Sequence, residues 1–109
     1  MVEKTTIVNI KHLGAGLYTY IGRGSPFGNP YSHLPNTKAA WRVNSRGEAI
    51  AKYRTWFITK VRTDTIFLEK VLGLEGKKLG CFCYPLPCHG NIIVEFLKFV
   101  EYNDYRKFV

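Results

Sequence analysis

Acidic side chains are in short supply in this sequence: eight Asp and Glu stand against sixteen Lys and Arg, a net charge of +8 at pH 7. The shortage is concentrated at one end. Residues 1–62 hold only Glu3 and Glu48 beside ten basic side chains, whereas residues 63–109 balance six against six. A first half of this kind has no spare carboxylate pair to divide acid and base work, and it attracts polyanions or phosphorylated small molecules. A solvated basic surface without a specific ligand accounts for the same count. Long apolar runs are missing too, so no segment spans a bilayer. The opening "MVEKTTIVNI" lacks the basic region, apolar core and small-residue cleavage site of a secretion signal, so the expected location is the cytoplasm. Cysteine is limited to three, an odd number crowded into "CFCYPLPCH", which argues against a disulfide framework and for reduced thiols. Internal repeats and low-complexity segments are absent.

What is present suffices for one domain over residues 1–109, with an apolar fraction of 46% that includes seven Phe, seven Tyr and two Trp. "TTIVNI" (5–10) and "LYTYI" (17–21) read as short strands rich in β-branched and aromatic residues. From Gly22 to Val43 no period is evident, and Pro26, Pro30 and Pro35 break the stretch. Ser45 then opens a helix, because Glu48 three residues later completes a capping box. Ala49, Ile50, Tyr53, Trp56 and Phe57 follow as its apolar stripe. A shorter helix is expected over Thr65–Leu72, a third strand over "KLGCFCY", and a last helix over "NIIVEFLKFV". The order β-β-α-α-β-α predicts an α/β fold: a small parallel or mixed sheet covered by helices, a reduced Rossmann-like three-layer arrangement. Residues 101–109 read as a peripheral C-terminal tail.

Two segments concentrate residues suited to a site. "YIGRGSPFGNP" (20–30) follows a strand and introduces the aperiodic stretch. Here Gly22, Gly24 and Gly28 would expose backbone amides to a phosphate, Arg23 would clamp it with two hydrogen bonds, and Ser25 would add a hydroxyl. Asn29 would bond a base or ribose, with Phe27 or Tyr31 stacking on it. The architectural alternative makes "SPFGNP" a run of turns with Phe27 plugged into the core. The second segment, "GKKLGCFCYPLPCHGN" (76–91), has the form strand, loop, helix. Ligands of open α/β sheets collect at such carboxyl ends, beside helix amino termini. Gly90 permits close backbone approach, and His89 or Asn91 is placed to cap the helix.

The thiols carry two further readings. Cys81, Cys83, Cys88 and His89 are a chemically reasonable zinc set, but their spacing is unlike that of structural zinc sites, and small buried hydrophobes account equally for Cys81 and Cys83. Otherwise Cys88 is a nucleophile at a helix amino terminus, needing a base from elsewhere because adjacent His89 points differently. No cofactor is therefore predicted, with zinc held as the alternative. Arg54, beside Ile50, either reaches inward to a phosphate or covers the core with its stem.

Three blocks in order, "YIGRGSPFGNP", "AIAKYRTWF" and "LEGKKLGCFCYPLPCHG" followed by an apolar helix, resemble a phage and bacterial family known as domain of unknown function 4326. The resemblance covers most of residues 18–97. The family it resembles often has Trp where this chain has Phe82, and usually Asp where it has Asn91. Asn91 keeps the capping option and removes a carboxylate. The resemblance implies no reaction, and for a viral chain it implies the host cytoplasm.

Three functions follow from these readings. The first is a domain binding a phosphate-containing, nucleotide-like ligand between residues 22–30 and 88–91; as an enzyme it would be a hydrolase or transferase using Glu48, Cys88 or His89 with arginine clamps. The second is nucleic-acid binding by the basic first half, with Tyr18, Tyr20, Phe27 and Trp41 as stacking platforms. The third is a viral, host-directed interaction protein, marked by an exposed apolar patch or a persistent homodimer.

Overall fold

The computed structural model describes residues 4–12, 17–34, 41–82 and 86–109, with only the backbone of His12. Among them the elements run β1 (Thr6–Asn9), β2 (Thr19–Tyr20), β3 (Tyr31–Ser32), β4 (Trp41–Arg42), α1 (Arg46–Thr63), α2 (Thr65–Leu72), β5 (Lys78–Cys81) and α3 (Gly90–Val100). The arrangement is α/β, as the order of periods predicts. Strands β1, β5 and β2 form a parallel sheet in that spatial order, with Thr6 opposite Lys78 and Thr19 opposite Leu79. The two-residue strands β3 and β4 pair separately, also in parallel, inside the stretch that shows no period in the sequence. Strands of two residues are too short to display an alternation.

The helices begin where their capping chemistry sits. Ser45 has an extended backbone, and its Oγ accepts the Glu48 amide at 3.1 Å. The Glu48 carboxylate accepts from the Asn44 amide, one residue earlier than a standard capping box requires. Asp64 does double duty: its amide closes α1 on the Lys60 carbonyl, and its carboxylate accepts the Phe67 amide to start α2. One extended residue thus breaks a continuous helical pattern into two elements.

Helix α1 buries Ala49, Tyr53, Phe57 and Val61, one residue per turn. Phe57 stands at the centre of an aromatic cluster, with the rings of Tyr53, Phe67, Phe96 and Phe108 between 5.2 and 6.4 Å away. Leu79, Cys81, Ile92 and Ile93 complete the core from β5 and α3. Most of residues 101–109 are exposed, as a peripheral tail would be, but Phe108 is only 3% exposed and fills the space between Phe57, Phe96 and Phe99, so the segment is anchored in the core. Across the sheet at Gly80, a side chain would meet Ile10 and Tyr18, so there the covering layer consists of those two side chains.

Candidate functional site

Strands β2 and β5 are parallel neighbours, so their carboxyl ends leave the sheet on the same side. The Ile21 amide extends the pairing by one bond, to the Gly80 carbonyl at 3.1 Å. The loops that follow, from Gly22 and from Phe82, must therefore emerge side by side, the topology that gathers ligands in open α/β sheets. They enclose a cavity of about 410 Å³. Its wall takes Gly22, Arg23 and Asn29 from the first loop, Cys81 from the end of β5, and Phe82, Pro87, Cys88 and His89 from the second loop. Tyr20, the residues 31–34 and the first turn of α1, through Arg46, Ala49 and Ile50, close the remaining sides. No carboxylate lines it among the described residues.

The first loop is held by bonds that leave little play. Gly24 has φ of 96°, a left-handed conformation that favours glycine. The Ser25 hydroxyl donates to the Gly22 carbonyl at 2.6 Å and accepts from the Phe27 amide, which tightens a turn and uses its only donor. At Gly28 a Cβ would lie 2.8 Å from the Arg23 Cα and the Gly22 oxygen, so the backbone crosses itself where only glycine fits. Asn29 is buried, donating to the Ala49 carbonyl at 3.1 Å and accepting from the Tyr31 amide at 2.9 Å, which ties the loop to α1. The Tyr53 hydroxyl donates to the Phe27 carbonyl at 2.8 Å, and burial pushes that phenol far above its ordinary range.

Arg23 and His89 differ from these clamps in what they leave over. One arm of the partly buried Arg23 guanidinium donates to the Tyr31 carbonyl at 3.0 Å. Its Nε is buried with no acceptor, an arrangement that costs roughly 1–3 kcal/mol. His89, 8% exposed, bonds through Nε2 to the Ile21 carbonyl at 2.7 Å. A carbonyl only accepts, so Nε2 carries the proton and the neutral ring keeps its lone pair on Nδ1. Burial lowers the pKa of this imidazole, the bond to Ile21 opposes the shift, and nearby Arg23 adds to it.

The structure brings Gly22, Arg23, Asn29, Tyr31, Cys81, Cys88 and His89 to one cavity and gives the remaining described candidates different places. Gly24, Ser25 and Gly28 shape the loop behind it. Phe27 is a core residue against Phe67. Glu48 stays at the helix cap. Arg54 lies away from the cavity, over the Phe108 ring, paired with Glu95 and with the Val109 carbonyl. At α3, Gly90 packs under Ile21, and the Asn91 carboxamide folds back to accept the Cys88 amide at 2.9 Å; His89 makes no capping bond. For the zinc alternative, no group of three or more His, Cys, Asp or Glu is placed to hold a metal among the described residues. Cys83 lies outside them.

Sequence reasoning offered Tyr20 only as a stacking platform for nucleic acid, and it missed Ser32, His33, Leu34 and Arg46. Arg46 carried a usable signal, since it is the first residue of a capped helix. The others come from strand ends and from the aperiodic stretch.

Residues 8–99 match the family described as "Domain of unknown function (DUF4326)". A curated relative, the "Uncharacterized 12.4 kDa protein in nrdA-td intergenic region" of Enterobacteria phage T4, is 34% identical over 64 residues. That alignment covers 59% of each chain, so this chain spans less than two thirds of its relative. No solved structure matches. The described helices include none long and apolar enough to cross a membrane. With the family match running from Val8 to Phe99, well over half of its length, the chain belongs to the DUF4326 family.

Proposed function

We propose that the protein binds a phosphate-bearing, nucleotide-like small molecule in the cavity between the Gly22–Asn29 loop and the Cys88–His89 segment. The observation that carries this reading is Arg23, a residue in the wall of a cavity without carboxylates among the described residues, whose guanidinium has a buried donor without an acceptor. Arg46 and the first turn of α1 add positive potential on a second side, which suits an anion with several oxygens. Tyr20, Tyr31 and Phe82 offer flat apolar surface for a base, and neutral His89 offers the Nδ1 lone pair for a sugar hydroxyl. The cavity volume suits a mononucleotide better than a strand of nucleic acid. Hydrolysis or group transfer on such a ligand would fall to Cys88 and His89, since Glu48 is outside the wall.

Calorimetric titration with AMP, adenosine and inorganic phosphate tests the reading. AMP should bind at least tenfold more tightly than adenosine, and Arg23→Gln should remove most of that difference. Chromatography of the recovered nucleotide separates a binder from a hydrolase or transferase. Equal affinity for AMP and adenosine, or an Arg23→Gln variant that binds AMP like the wild type, would refute the proposal.

A further inference from the structure

Cys81 closes β5, and Cys88 stands just before the first turn of α3. Their Sγ atoms are 3.4 Å apart. Both residues are thiols, 2% and 3% exposed, and both form part of the cavity wall. A disulfide needs about 2.05 Å between the sulfurs, so the pair is some 1.35 Å short of bonding distance (3.4 minus 2.05). Each partner is fixed from its own side. Cys81 is in register with Asn9 in the sheet, while Cys88 donates its amide to Asn91 Oδ1 at 2.9 Å and accepts the Asn91 amide at 3.1 Å. A pair held this way has a far higher effective concentration than two thiols on a flexible loop. Buried cysteines are ordinarily inert packing residues. These two differ in touching each other and in belonging to residues of a cavity wall.

We propose that Cys81 and Cys88 are a reversible dithiol/disulfide couple in the cavity wall, oxidised by small disulfides of the glutathione class. One cysteine, as thiolate, attacks a sulfur of glutathione disulfide and forms a mixed disulfide. The glutathione thiolate that leaves takes up a proton, replacing the one the cysteine lost. The second cysteine, as thiolate, attacks the protein sulfur of that mixed disulfide, forms the Cys81–Cys88 bond and releases the second glutathione, which is protonated in turn. Two protein thiols are oxidised, and one glutathione disulfide is reduced to two thiols. The couple stands independently of what the cavity binds.

The test uses the full chain with Cys83→Ser, so that only this link can form within one molecule. The protein is equilibrated anaerobically in graded glutathione buffers, acid-quenched, alkylated and digested with trypsin, which leaves both cysteines in the peptide 79–98. The oxidised peptide should lack both alkyl groups and weigh two hydrogens less than the dithiol. Its effective concentration relative to glutathione should be at least tenfold higher in the native protein than in the same chain in urea. An equal or lower native value, or accumulation of a glutathione adduct without the link, would overturn the proposal. If Cys83→Ser does not fold, the wild-type chain serves: after the first alkylation, reduction and a second alkylating agent mark the two cysteines that were joined, and fragmentation of the peptide 79–98 locates the two labels.

Discussion

His89 joins the two loops, and its removal tests whether that junction holds the site together. The imidazole donates to the Ile21 carbonyl at 2.7 Å and presents its ring to the Tyr53 ring, edge to face, at 5.1 Å. Replacing it with alanine leaves a buried carbonyl unpaired, worth about 1–3 kcal/mol, and forfeits an aromatic contact worth about 0.5–1.5 kcal/mol. His89→Ala should therefore lose about 2–4 kcal/mol at pH 7.5, whereas His89→Gln, which keeps an N–H donor, should lose less. The pH dependence distinguishes this role from simple packing. Burial lowers the folded pKa below the ordinary value of 6.5. Between those two values the unfolded chain binds more protons than the folded one, so stability rises with pH, by at most about 1.4 kcal/mol per unit for one group. The contribution is complete above pH 6.5 and is lost as pH falls toward the folded value. Urea unfolding between pH 5 and 8 should show a rise for the wild type that is shallower in His89→Gln by the share of this residue. A wild-type curve that is flat from pH 5 to 7, or a variant with the same slope, would refute the assignment of a buried neutral imidazole.

The remaining predictions concern residues around that junction. Tyr53→Phe removes the donor to the Phe27 carbonyl and should cost about 1–3 kcal/mol in the same urea series, with unchanged helix content by circular dichroism. An unchanged midpoint would mean that the Phe27 carbonyl is not desolvated. Arg54→Met should cost no more than about 1 kcal/mol through its exposed pair with Glu95 and should leave AMP affinity unaltered. A tenfold loss of affinity there would return Arg54 to the site.

The first helix was legible because its start is written in side chains, and the other two from the spacing of their apolar residues. Ser45, Glu48 and Asp64 satisfy free amides within three or four residues of themselves, so capping needs no tertiary information. The parallel sheet was legible only as an alternation of strands and helices. Its spatial order depends on which strand β5 inserts between, and no local period encodes that. The site divided along the same line. Arg23, Asn29, Cys88 and His89 follow the ends of recognisable strands, so the general rule for α/β sheets located them. Ser25 and Phe27 share their segment with Arg23, but a turn needs a hydroxyl and a core needs a ring, and those local demands took them. Arg54 was drawn to the far end of the chain, where Phe108 and Val109 dock. Only the folded path of residues 101–109 makes that contact possible, and nothing near Arg54 in the sequence announces it.

The central claim is that the loops after β2 and β5 form one ligand site, and amide chemical shifts report it directly. In a titration of isotope-labelled protein with AMP, the amides of Gly22, Arg23, Cys88 and His89 should shift together along one saturable isotherm, while adenosine moves them little at the same concentration. Shifts confined to the outer face of α1 around Lys52 and Lys60, or two loops that respond with different affinities, would contradict a single site.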